Sequence, residues 1–229
     1  MKKIFSSLIM FVGIPVVLLI GYFLYKDSQY EIISMIIALL ACLPFFIHFE
    51  KKTNDARQLV LVAIFIAISV VSRIIFSALP GFKPVAAFTI IIAIAYGKEM
   101  GFMVGALTAV LSNMYFGHGP WTPFQMFAWG LVGFVAGWLF QYPKLKKTWI
   151  IILYGALSGI AFSMILDIWT ALSVDDAFIF KRYLLFIASS FPMMMTYVVS
   201  NCLFLLILEK PLITKLERIK HKFGLFEIK

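Results

Sequence analysis

Two charged side chains stand inside otherwise apolar runs, Arg73 in LVLVAIFIAISVVSRIIFSAL and Asp167 in WIIILYGALSGIAFSMILDIWTAL. A charge within hydrocarbon costs about 2.5–3.5 kcal/mol on insertion scales, so each needs a partner or a function. Counted back from the outer ends of their spans, both lie about 8–9 Å deep at ~1.5 Å per residue. Equal depth and opposite sign suit an ion pair. The same placement suits an Arg that snorkels to the surface, or a polar floor to an outward-facing pocket where either residue contacts solute. A third constellation is the segment NMYFGHGPWTPFQMFAW, residues 113–129. Gly117, Gly119, Pro120 and Pro123 dictate an irregular backbone there, while Tyr115, Phe116, Trp121, Phe124 and Trp129 supply rings. Asn113, His118, Thr122 and Gln125 add hydrogen-bonding groups. Apolar walls with a few fixed polar groups describe a small-molecule site. An interfacial aromatic belt accounts for Trp121 and Tyr115, but not for the Gly/Pro scaffold or for Asn113 and Gln125.

Other chemistry is missing from the sequence. There is no HExxH and no GxSxG, and Glu50, Asp55 and Glu99 are isolated acids. Gly97-Lys98 has Ile92 where a phosphate-binding loop requires Gly, so nucleotide hydrolysis by that route is excluded. His118 has no second ligand, since His48 and His221 fall on the opposite face, and no metal site is expected. Cys42 and Cys202 sit in apolar runs without CxxC spacing and read as small buried hydrophobes. The sequence therefore points to a non-catalytic protein.

The elements that must carry these residues follow from composition. The 229 residues are 62% hydrophobic and 14% charged, with 24 Phe, 11 Met and 5 Trp, and the mean hydropathy is +0.99. Soluble domains run near 45–50% apolar and about 25% charged, so a water-soluble enzyme is excluded. The N-terminal MKKIFSSLIMFVGIPVVLLIGYFLY is too long in its apolar part for a signal peptide and lacks a cleavage site, so it reads as a retained anchor.

Apolar runs predict eight spans near 4–25, 32–49, 58–79, 84–96, 100–116, 124–140, 148–172 and 183–208, an all-α integral membrane protein. The 84–96 run is short and is read as a true crossing begun by Pro84. With the N-terminus inside, the inner segments hold 15 Lys and Arg and the outer loops hold 4. Both termini come out cytoplasmic, and segment 113–129 lies outside. The net charge of +9 is then a topology signal, and no nucleic-acid partner is expected. The chain divides into an N-terminal transmembrane hairpin (1–52), a six-span core (53–210) and a basic cytoplasmic tail (211–229).

Small residues recur four apart on several spans: Ala63/Ala67, Gly101/Gly105/Ala109, Gly133/Gly137 and Gly155/Gly159. They let helix backbones approach closely, by default within the same chain. From Arg57 onward the chain resembles the substrate-binding S component of an energy-coupling factor (ECF) vitamin transporter. Six spans in about 150 residues, AxxxA on the first core span and the structured segment between the third and fourth core spans carry the resemblance. Its most characteristic stretch runs from FKPVAAFTIIIAIAYGKEMGF through to the GLVGFVAGWLF ending at residue 140.

The resemblance implies a solute-capture subunit of an ABC importer in the cell membrane, working with a transmembrane T component and two ECF ATPases. It implies that Ala63 and Ala67 face the T component. Solute would contact Phe82, Lys83, the 113–129 segment and the outer end of the 148–172 span with Trp169, with Arg73 and Asp167 beneath. The aromatic, Gly/Pro-rich segment resembles S components for cobalamin or related corrinoids, so the expected ligand is cobalamin, with no covalent cofactor. Pantothenate, folate, a thiamine precursor or a queuosine precursor suits the residues as well. A scaffold of the rod-shape-determining type, with no bound small molecule, is the rival reading.

Overall fold

The run VAAFTIIIAIAY is apolar on every side, and such a helix has to be enclosed by others. The computed structural model describes residues 56–175 and 178–223, together with Leu39, Leu40, Cys42, Leu43, Phe46 and Ile47. It builds six helices: α1 (Ala56–Ile75), α2 (Val85–Tyr96), α3 (Lys98–Phe116), α4 (Thr122–Leu139), α5 (Thr148–Asp175) and α6 (Phe180–Phe223). A single 3-10 turn, Pro143–Leu145, joins α4 to α5. No strand occurs among the described residues.

All twelve residues of α2 are buried, and α1, α3, α4, α5 and α6 pack around it. This explains how the short 84–96 segment is accommodated. At 1.5 Å per residue it is only about 18 Å long, but no face of it meets lipid, so its length need not match the hydrocarbon. Gly97 alone separates α2 from α3, with φ 99 and ψ 173. Only glycine adopts that conformation readily, which lets the chain reverse in one residue.

α3 and α4 form one hairpin and α5 and α6 another. The small residues make the contacts close. A Cβ on Gly105 would lie 2.4 Å from the Trp129 carbonyl oxygen, and one on Gly133 would lie 2.3 Å from the backbone of Gly101. One on Gly159 would lie 2.9 Å from the Val198 amide nitrogen. These motifs are consumed by internal packing. Ala63 and Ala67 differ: both are exposed, on a face with Val60, Ile64, Ile68 and Val71.

Among the described residues, three helices are long and apolar enough to cross a membrane: α1 from Arg57, α5 to Val174, and α6. Several boundaries move. The predicted 58–79 span stops at Ile75, and residues 76–82 turn back through Ser77 N–H to Ile74 O, Leu79 N–H to Phe76 O and Phe82 N–H to Leu79 O. The predicted 183–208 span runs on to Phe223, through both Pro192 and Pro211. Its continuation is packed. Leu216 is 3% exposed, and the Tyr96 hydroxyl donates to its carbonyl at 3.1 Å. A helix thus crosses the 210/211 boundary drawn between core and tail. The expected 4–25 span lies outside the described residues. Of the 32–49 span, Cys42 is buried and Phe46 meets Phe102 edge to face at 6.4 Å.

Candidate functional site

Ending α1 at Ile75 puts Arg73 in its last turn, where a cation is favoured by the helix dipole. Asp167 lies eight residues, about 12 Å, before the end of α5. The two form no ion pair, and each has partners of its own. Arg73 Nη1 donates to Ser112 Oγ and to Asn113 Oδ1 at 2.9 Å. Its guanidinium also lies over the Phe116 ring at 4.5 Å and the Trp129 ring at 5.1 Å. Each such contact contributes about 0.5–2 kcal/mol, more where water is excluded. Asp167 instead accepts from the Ser190 hydroxyl at 2.6 Å.

Asn113 turns this contact into a network. Its Nδ2 donates to Thr122 Oγ1 at 2.9 Å and to Gln125 Oε1 at 2.8 Å, so both amide protons and the carbonyl are engaged. Thr122 Oγ1 also receives the Gly119 amide at 3.4 Å. Ser112 passes its own proton to the Thr108 carbonyl at 2.5 Å. Asn113 is 1% exposed and Ser112 0%, and buried polar groups of this kind must be satisfied. The segment expected as an outer loop is mostly helix: 113–116 closes α3, 122–129 opens α4 with Pro at its start, and only 117–121 lies between.

Beside the network lies a shallow, partly open cleft lined by Lys83, Val85, Ala86, Trp129, Gly159, Phe162, Tyr197 and Asn201. Trp129 and Phe162 are stacked with centroids 5.0 Å apart and planes 11° from parallel. Tyr197 meets Phe162 edge-on at 5.1 Å. Lys83 is clamped through its backbone, whose amide donates to Ser200 Oγ at 2.8 Å and whose carbonyl accepts from that hydroxyl at 3.0 Å. Its ammonium lies 5.9 Å from the Phe116 ring centroid. Burial, and then the Arg73 charge, push the Lys83 ammonium down to about 8.

Among the residues expected at a site, Arg73, Asn113, Phe116, Thr122, Gln125 and Trp129 come together around one guanidinium, with Lys83 beside Phe116. Others do not join them. Tyr115 is 65% exposed and touches Phe116 edge-on at 5.0 Å, and His118 is exposed. Trp121 lies across Gly119, where a Cβ would come within 2.2 Å of its ring. Phe82 packs with Phe76 and Phe204. Trp169 packs on Phe124 in a separate cluster with Leu172. Sequence reasoning missed Ser112, Phe162, Tyr197 and Asn201. The first is one residue from Asn113 and hidden by its small size. The others lie mid-helix in α5 and α6, where nothing in the local pattern separates a cleft wall from core.

Residues 53–218, nearly three quarters of the chain, match the family model for the ECF-type riboflavin transporter S component. This chain belongs to that S-component family. No curated protein and no solved structure matches it. The S component is the substrate-binding part of a vitamin transporter, and with α1, α5 and α6 able to span a bilayer the chain is a multi-pass membrane protein. The family supports the S-component reading and association with ECF partners, and lends nothing specific to cobalamin.

Proposed function

We propose that this S component captures a flat-ringed vitamin of the riboflavin type and delivers it through an ECF importer whose ATPases and T component are separate chains. The stacked Trp129–Phe162 pair with Tyr197 edge-on carries the reading. Together these rings give the cleft an aromatic face, and Lys83 and Asn201, which also line it, supply the few polar groups that orient a ligand. The matched family also names riboflavin.

In this reading the Arg73 end of the bundle faces outward and both termini lie in the cytoplasm, as the Lys and Arg distribution favours. Ala63 and Ala67 present the T-component surface. Their exposure supports this, because the other small-residue motifs are used up inside the bundle.

The test is uptake of labelled riboflavin and labelled cobalamin into ATP-loaded vesicles holding this chain, a T component and two ECF ATPases. ATP-dependent riboflavin uptake is expected. Cobalamin uptake without riboflavin uptake would restore the corrinoid assignment, and uptake of neither, with no ATPase copurifying, would favour a scaffold.

A further inference from the structure

Among the described residues, no acid pairs with the cations of the site. Arg73 is 5% exposed, and its Nε is buried without a hydrogen-bond partner. Its bonded partners, Ser112 and Asn113, are neutral. The Lys83 ammonium and the Arg73 guanidinium approach the same Phe116 ring, at 5.9 and 4.5 Å. Asp167, on α5, accepts from the Ser190 hydroxyl. Two like charges held close in a poorly solvated place repel one another, and an anion that bound them both would remove that repulsion.

We propose that Lys83 and Arg73 form a subsite for an anionic group of the solute, a phosphate or carboxylate, at the edge of the cleft faced by Trp129 and Phe162. The assignment rests on the flat-ring reading and narrows it, since the preferred solute carries an acid as well as a ring. Geometry supports each part. Lys83 is both a wall of the cleft and a free ammonium on a clamped backbone. Arg73 is fixed behind it by Ser112 and Asn113. Arg offers a planar fork and Lys a mobile point charge, and together they suit an oxyanion attached to a ligand of variable reach.

The experiment is equilibrium binding to the purified full chain in lipid nanodiscs, read by ligand fluorescence. The probes are riboflavin, riboflavin 5′-phosphate and the flavin whose side chain ends in a carboxylic acid. At least one acidic flavin should bind 10-fold or more tightly than riboflavin, and the carboxylate and phosphate arms decide which oxyanion is preferred. Lys83→Met should reduce that preference, read as the ratio of acidic-flavin to riboflavin affinity in the same variant, to under 3-fold. Acidic flavins that bind no better than riboflavin, or a preference that survives Lys83→Met, would overturn the subsite and leave the flavin reading standing. Binding of no flavin would overturn the flavin reading itself. The subsite is then decided by inorganic phosphate on protein carrying ¹³C-methylated lysines. A Lys83 resonance that moves with phosphate in the parent but not in Arg73→Gln supports it, and one that does not move in the parent refutes it.

Discussion

Arg73 near the end of α1 and Asn113 in the last turn of α3 are joined by a 2.9 Å bond between side chains that are both at least 95% buried. That bond ties the first core helix to the start of α4, because the Asn113 amide goes on to hold Thr122 and Gln125. It also sets Arg73 above Trp129, so the rim of the cleft and its cation are positioned by one residue. Asn113→Ala removes three bonds and leaves Arg73 and Thr122 short of partners. An unsatisfied buried polar group costs about 1–3 kcal/mol. A lower unfolding temperature in detergent and weaker solute binding are expected together; an unchanged melting temperature would show that water takes over the role.

The two classes of small residue should respond oppositely to enlargement. Gly105→Ala brings a methyl to 2.4 Å from the Trp129 carbonyl, and overpacking of this kind costs about 1–3 kcal/mol. It should destabilise the isolated chain and disturb the Trp129 wall. Ala63→Trp and Ala67→Trp add bulk on an exposed face, where substitutions usually stay within about 0.5 kcal/mol. They should spare stability and solute binding and abolish copurification with the T component. Normal assembly in both variants would remove α1 from the partner surface.

The sequence made the helices legible and the site only partly so. Long apolar runs are forced by the solvent, so α1, α3, α4 and α5 lie close to where hydropathy places them. Their ends were less readable. Ser77, Pro80 and Gly81 follow α1, which ends four residues before the predicted span does. The apolar run stops at residue 208, but Leu216 and the Tyr96 hydroxyl hold α6 beyond it. Within 113–129, composition singled out the stretch that holds Asn113, Thr122, Gln125 and Trp129. It could not say that Trp129 turns inward to Phe162 while Tyr115 turns outward, because on a helix that choice is made by the partner and not by the residue.

Trp129 and Trp121 should separate in binding. Trp129 is a cleft wall stacked on Phe162, and aromatic pairs contribute about 0.5–1.5 kcal/mol beyond their area. Trp129→Leu keeps most of the volume but loses the stack, so solute affinity should fall about 3- to 10-fold. Trp121 is 38% exposed and rests on Gly119, outside the cleft lining. Trp121→Ala should change affinity by under 3-fold. The reverse order, measured by fluorescence titration, would move the site from the bundle's interior to the 117–121 turn.

Lys83 should make recognition of an acidic solute depend on pH. Its ammonium is lowered from the ordinary 10.5 to about 8, by burial first and by Arg73 second. The titratable groups around it are Arg73 from α1 and Tyr197 from α6, while α3 and α4 present the Phe116 and Trp129 rings. Between about 8 and 10.5 the folded chain holds fewer protons at Lys83 than the unfolded chain does, so this residue makes stability rise with pH across that window. Binding runs the other way. An anion favours the ammonium and raises its pKa in the complex. Affinity for an acidic flavin should then be flat below pH 8 and fall above it, by at most about tenfold per pH unit for one linked proton, until the pKa of the complex is reached. Neutral riboflavin should show no such fall, and Lys83→Met should flatten the acidic profile. A fall through pH 8 that persists in Lys83→Met would assign the linked proton to another group.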